Sequence, residues 1–119
     1  MGGNDLFIGR GGKDIAKYNG AAGPVKANLA KGRAPDDGDG GVDRLLSIEH
    51  LKGSPNDDRL KGDSKRNKLR GGPGDDLLAG RAGRDKLFGQ GGDDVLKGGG
   101  GVDLCRQGPG SGPLKGCER

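Results

Sequence analysis

From Gly53 onward the apolar residues recur at a fixed interval. Leu60, Leu69, Leu78, Leu87, Leu96, Cys105 and Leu114 each follow the last by nine residues. Blocks of nine run without a gap from Gly53 to Lys115. Gly opens every block but the last, and the sixth place reads Asp58, Asn67, Asp76, Asp85, Asp94, Asp103 and Gly112. An apolar eighth residue between two outward neighbours makes a three-residue strand. The six residues before it, rich in Gly, Pro, Asp and Asn, are turn chemistry. Two blocks make one coil of two strands and two turns, and coils stack at about 4.8 Å. The predicted fold is all-β: a parallel β-roll, or β-helix solenoid, with two nonapeptide blocks per coil.

The same phase appears earlier. Gly9 to Lys17 is one block, Asp5 to Ile8 is the tail of another, and Gly38 to Leu46 is a third with Asp43 and Leu45 in the key places. Insertions are expected at 18–37 and 47–52. The first holds Val25-Lys26-Ala27-Asn28-Leu29, which alternates like a half-buried strand. The second, Ser47 to Leu51, reads as another short strand. The organisation predicted is a single repeat domain over 1–119: irregular coils in 1–52, a regular array in 53–115 and a tail in 116–119. The chain opens in mid-block with no apolar leader, which suggests a fragment.

Composition sharpens this picture. With 29 Gly, 6 Pro and 29% hydrophobic residues in 119, a thick apolar core is excluded. The glycines do not recur every third residue, so collagen is excluded, and no apolar run approaches the roughly 20 residues of a membrane span. Burying one Leu stabilises by roughly 1.5–3 kcal/mol. Ordering each residue of its block costs on the order of 1–2 kcal/mol, so a bare coil should not hold. Blocks two apart stack, which puts Asp58, Asp76 and Asp94 in one column and Asn67, Asp85 and Asp103 in another. Stacked carboxylates repel, and a hard divalent cation between coils would remove the repulsion. Carboxylates plus turn carbonyls, without His or thiolate, form a calcium donor set, and binding would be coupled to folding.

The block resembles the GGxGxDxUx calcium-binding nonapeptide of the RTX, or haemolysin-type, family. Its clearest copies are Gly71–Ala79, Gly89–Lys97 and Gly98–Arg106. The resemblance implies a parallel β-roll with several Ca2+ ions between turns and a secreted, extracellular setting. In the family one turn offers carbonyls from its second and fourth residues plus its Asp. The turn one coil later offers those of its first and third plus its Asp. Carried over, Gly72, Gly74 and Asp76 would share an ion with Gly89, Gly91 and Asp94. Arg81, Gly83 and Asp85 would share one with Gly98, Gly100 and Asp103. A third set is Ser54, Asn56 and Asp58 with Gly71, Pro73 and Asp76. A fourth, Asp63, Lys65 and Asn67 with Gly80, Ala82 and Asp85, has Asn in place of one Asp. A site between Asp94 and Gly112 lacks a carboxylate and is expected to be absent. Asp5, Asp14 and Asp43 have no in-register partner across the insertions and stand only as candidate ligands, and Asp57, Asp75 and Asp93 read as solvated turn residues.

The remaining chemistry is sparse. The spacing of Cys105 and Cys117 fits no four-ligand zinc pattern. The expectation is a disulfide that pins the last coil and implies an oxidising compartment, the alternative being that Cys105 is a small core residue. His50, the single histidine, has no visible catalytic partner, and no serine has nucleophile-elbow context. The expectation is therefore no enzymatic activity. The 21 basic against 17 acidic residues give a net charge of +4. Arg10-Gly11-Gly12 and Arg70-Gly71-Gly72 suggest a rival, a Gly-rich, largely disordered segment that binds nucleic acid or another anionic polymer. Phe7, Tyr18 and Phe88 are too few to stack bases, so no nucleic-acid partner is expected. The sequence-based reading is a calcium-binding structural or adhesion/toxin-associated module. Its partners would be calcium ions and either an anionic cell-surface polymer or a missing effector domain.

Overall fold

The nine-residue phase becomes two sheets. The computed structural model describes residues 6–9, 14–18, 20–37, 40–101, 103–108, 112 and 114–117. Its strands are β1 (Leu6–Ile8), β2 (Ile15–Lys17), β3 (Lys26–Asn28), β4 (Arg33–Asp36), β5 (Asp43–Leu46), β6 (His50–Lys52), β7 (Arg59–Lys61), β8 (Lys68–Arg70), β9 (Leu77–Ala79), β10 (Lys86–Phe88), β11 (Val95–Lys97), β12 (Leu104–Arg106) and β13 (Leu114–Lys115). The first sheet runs β1-β5-β4-β3-β7-β9-β11-β13 and the second β12-β10-β8-β6-β2. From β6 onward, odd and even strands alternate between the sheets, and each up to β11 pairs in parallel with the strand two blocks on. Leu60 faces Leu78 and Leu78 faces Leu96, while Leu51 faces Leu69 and Leu69 faces Leu87. Among the described residues there is no helix, and none is long and apolar enough to cross a membrane.

The eighth position decides burial. Leu51, Leu60, Leu69, Leu78, Leu87 and Leu96 are 0% exposed and form one core cluster with residues of the irregular part. Their neighbours on either side are exposed or half-buried. Phe7 packs against the N-terminal end of this core and meets Tyr18 edge to face at 5.9 Å. At the other end Cys105 and Cys117 are joined by a disulfide with 5.7 Å between Cα atoms.

The half-buried strand expected within 18–37 is present as β3, and the expectation of wholly parallel pairing is corrected. Strands β3 and β4 enter the first sheet between β5 and β7, with antiparallel pairing of β3 to β4 and of β4 to β5. The sheet is therefore mixed rather than wholly parallel. Val25, Ala27 and Leu29 are buried there, and Ala27 takes the place of a repeat leucine beside Leu60. The short strand expected within 47–52 is also present, as β6 at His50–Lys52 in register with β8, so that this segment closes a shortened block. A tight turn through Ser47, at φ 57°, replaces the usual six-residue turn. Asp5, Arg10, Gly11, Gly12 and Gly38 lie outside the described residues.

Candidate metal centre

The turns carry the chemistry, and they come in two kinds. In the turns from Gly71 onward, the second residue has positive φ: Gly72 (92°), Arg81 (73°), Gln90 (71°) and Gly99 (87°). So does the fourth: Gly74 (102°), Gly83 (96°), Gly92 (93°) and Gly101 (95°). Glycine adopts this conformation freely, whereas other residues pay roughly 1–2 kcal/mol. The turns from Gly53 and Gly62 are closed by side chains instead. The Ser54 N–H donates to Asp58 Oδ2 at 2.7 Å, and its hydroxyl donates to Asp58 Oδ1 at 2.6 Å. The Asp63 N–H donates to Asn67 Oδ1 at 2.8 Å, and Asp63 Oδ1 accepts from the Lys65 N–H at 2.8 Å. Such local bonds are the usual alternative to a glycine turn.

The sixth-position residues form two ladders along the turn edges. On one edge the Asp58 N–H donates to Asp76 Oδ1 and the Asp76 N–H to Asp94 Oδ1, each at 2.7 Å. On the other edge the Asn67 N–H donates to Asp85 Oδ1 and the Asp85 N–H to Asp103 Oδ1, each at 2.8 Å. The stacking expected of Asp58, Asp76 and Asp94 and of Asn67, Asp85 and Asp103 is thus present, with all six buried. Each Oδ1 is used by a backbone N–H. The Oδ2 atoms of Asp76, Asp85 and Asp94 are buried and have no hydrogen-bond partner among the described residues. Asp58 differs, because Ser54 takes its second oxygen and the Val25 N–H adds a bond to Oδ1 at 2.8 Å.

Burial is the main cause that pushes Asp76 up to about 8, with the neighbouring Asp58 and Asp94 charges adding to it and a hydrogen bond from the Asp58 N–H opposing it. Burial likewise lifts Asp85 to about 7, helped by Asp103, and it raises Asp58 and Asp94. A buried carboxylate oxygen without a donor is costly, so these groups call for a proton or a cation.

The surrounding backbone offers the other donors. Fourth-position carbonyls face the coil that follows: the Asn56 oxygen lies 2.6 Å and the Lys65 oxygen 2.7 Å from where a methyl on Gly74 or Gly83 would stand. The second-position carbonyl of Arg81 bears on Gly99 in the same way, and the fourth-position carbonyl of Gly74 on Gly92. First-position carbonyls face back: those of Gly71 and Gly80 lie 2.8 and 2.7 Å from a methyl placed on Gly53 or Gly62. The first glycine of each block also lies under its own sixth residue, Gly71 beneath Asp76 and Gly89 beneath Asp94, with no room for a side chain. Among the described residues no three His, Cys, Asp or Glu side chains converge. The donor set is therefore carboxylate oxygens plus peptide carbonyls, which suits a hard cation such as calcium and not a soft one.

A family model for the RTX calcium-binding nonapeptide repeat, in four copies, matches residues 1–16, 52–87 and 71–105. These segments cover more than half of the chain. The chain belongs to the RTX calcium-binding repeat family. No curated protein matches it.

Several residues of this RTX array took roles that block-by-block reading missed. Glu49, which stands just before β6 where a full block has its sixth residue, accepts the Asp14 N–H through Oε1 at 2.8 Å. Gln107 fills the place where the carboxylate pattern ends. Its Oε1 accepts the Asp94 N–H at 3.0 Å, and its Nε2 donates to the Asp94 carbonyl at 2.8 Å. Asp57, Asp75 and Asp93 are exposed, as expected of solvated turn residues, yet they too form a ladder. The Asp75 N–H donates to Asp57 Oδ1 at 2.7 Å and the Asp93 N–H to Asp75 Oδ1 at 2.8 Å. An acidic or amide residue at the right place was the available signal in each case.

The fourth-position glycines should be the least replaceable residues of the turns. Gly92→Ala combines φ 93° with a clash against the Gly74 carbonyl, and about 2 kcal/mol or more should be lost in denaturant unfolding. Arg81→Ala, already at positive φ with an exposed side chain, should change stability by less than about 0.5 kcal/mol.

Proposed function

We propose that this RTX array is a β-roll that calcium closes and stabilises, and that it serves outside the cell as a structural, adhesion- or toxin-associated module with no catalysis of its own. The observation that carries this reading is the set of orphaned, buried Oδ2 atoms of Asp76, Asp85 and Asp94, set in turns whose carbonyls face the adjoining coils. One ion would draw on Asp76 and Asp94 with carbonyls of Gly72, Gly74, Gly89 and Gly91. A second would draw on Asp85 and Asp103 with those of Arg81, Gly83, Gly98 and Gly100. When bound, calcium would supply the positive charge that the Asp columns lack. The turns at Gly53 and Gly62 are sealed by Ser54 and Asp63 and need an ion less, so they would serve as a nucleus on which the calcium-dependent coils stack. The disulfide and the near-millimolar reach of weak extracellular calcium sites support a secreted setting.

Far-UV circular dichroism during a calcium titration, with magnesium as control, tests the proposal. A cooperative gain of β signal with calcium alone is expected. A spectrum that stays unchanged up to roughly 10 mM calcium, whether disordered or already β, would overturn calcium-driven folding.

Acid should partly replace calcium. A carboxyl whose folded pKa is raised favours the folded state below its unfolded value near 4, and loses that advantage as pH rises through its folded value. With Asp76 at about 8 and Asp85 at about 7, the calcium-free chain should gain stability as pH falls from 8 to about 4. Unfolding monitored by circular dichroism in chelator should show that rise, and a flat or opposite profile would contradict it.

A further inference from the structure

The outer face of the second sheet carries cations at six of its ten outward positions and no acid. Its strands β2, β6, β8, β10 and β12 present their seventh- and ninth-position side chains outward. Among these are Lys17, Lys52, Lys68, Arg70, Lys86 and Arg106, and none is acidic. The acids of the array sit in the turns, so no acid on this face offsets its cations.

Register draws these cations into lines. Lys17 faces Lys52 and Lys52 faces Arg70 on three adjacent strands, and the line continues through Phe88 to Arg106. In the second line Lys68 and Lys86 are neighbours, with His50 beside Lys68 and the apolar Ile15 and Leu104 at the two ends. Parallel partners stand about 4.8 Å apart, a spacing at which like charges repel unless counter-charge lies over them. None of the six cations has an ion-pair partner among the described residues.

We propose that this face is a track for one linear polyanion, an acidic polysaccharide bearing sulfate or carboxylate groups, running across the strands along the stacking direction. Its shape favours a single chain. Three-residue strands give only two outward rows, about 7 Å apart, and five strands extend them over roughly 19 Å. A ribbon of that form suits a polymer better than a plane of lipid headgroups. Nucleic acid is disfavoured because a single-stranded partner would need aromatic platforms. The one phenyl ring on this face, Phe88, is occupied by Arg70, whose guanidinium carbon lies 5.6 Å from the ring centre, and the His50 imidazole accepts the Lys68 N–H at 2.9 Å. The first sheet offers a competing but different arrangement. There Lys26, Lys31, Arg33, Arg59 and Lys61 surround a concavity of about 430 Å³, a cluster rather than a line. Leu77, Ala79 and Val95 interrupt the cations farther along that sheet.

The inference rests on the roll being formed, whatever ions form it. Its test is fluorescence anisotropy of labelled heparin with calcium-loaded protein at low salt, with circular dichroism of each sample to report the roll separately. Wild type should bind, and Lys52→Gln with Arg70→Gln should weaken binding about tenfold or more. Arg59→Gln with Lys61→Gln, an equal loss of charge on the first sheet, should weaken it less than about twofold. If the first pair alters the circular dichroism, Lys17→Gln with Lys86→Gln supplies the same comparison. A roll that forms but does not bind heparin overturns the proposal. So do equal losses in both sheet variants, or tighter binding to double-stranded DNA or phosphatidylserine vesicles than to heparin. Absence of the roll itself would count against the calcium reading instead.

Discussion

Asp76→Asn should separate folding from calcium. The wild-type carboxylate gives Oδ1 to the Asp58 N–H and buries Oδ2 without a partner. Asn keeps an acceptor for that N–H and removes the buried charge. In chelator at neutral pH the variant should therefore be more stable than wild type, by about 1–3 kcal/mol, because wild type must bury a charge or take up a proton to fold. In calcium the order should reverse, because the proposed site with Asp94 loses one of its two carboxylates. The calcium midpoint should rise on the order of tenfold or more. Asn67 is a natural precedent at the sixth position, where the uncharged amide accepts the Asp63 N–H and donates to the Glu49 carbonyl at 2.8 Å. Denaturant unfolding with and without calcium checks both halves. If Asp76→Asn lowers stability in chelator, the buried Oδ2 is not a destabilising element of the calcium-free fold. If it leaves the calcium midpoint unchanged, Asp76 is not a ligand.

Leu78→Ala should have the largest effect of any core change. Leu78 is 0% exposed and stands between Leu60 and Leu96 in the stack. The core is one residue thick per strand, so little else can collapse into the space. A loss of about 2–5 kcal/mol is expected, enough to prevent folding without calcium and to lower the denaturant midpoint sharply with it. Lys97→Ala, on the outward side of the same sheet, should stay within about 0.5 kcal/mol. Comparable losses from the two variants would mean that the inward-outward alternation does not govern stability. The contrast also locates the division of labour: leucines hold the sheets together, and the turn chemistry decides whether neighbouring coils can approach.

The regular half of the molecule was legible because its signals are local and repeated. A leucine every nine residues sets which side chain points inward, and the preceding Gly and Asp residues set the turn. The Asp columns then follow from the stacking of alternate blocks. The irregular half was less legible because its decisive contacts are singular. Nothing in Val25 to Leu29 announces that its strand lies parallel to β7 on one side and antiparallel to β4 on the other. The stretch Ser47 to Lys52 looked foreign because it lacks the opening Gly and has Glu in place of Asp. Glu49 reaches the Asp14 N–H across 35 residues, and Gln107 reaches Asp94 across 13.

The metal centre divides along the same line. By itself the sequence determined the all-β class, the two-block period, the leucine stack, the Asp columns and membership of a calcium-binding repeat family. These depend on spacing and residue type, which every block restates. Only the tertiary structure decided which carboxylates are sealed by protein donors and which are left with a bare buried oxygen. Ser54 and Val25 satisfy Asp58, while the positive-φ turns leave Asp76, Asp85 and Asp94 each with one oxygen unmet. That outcome turns on the direction of single N–H and C=O groups, which backbone conformation and neighbouring coils set and residue spacing does not encode.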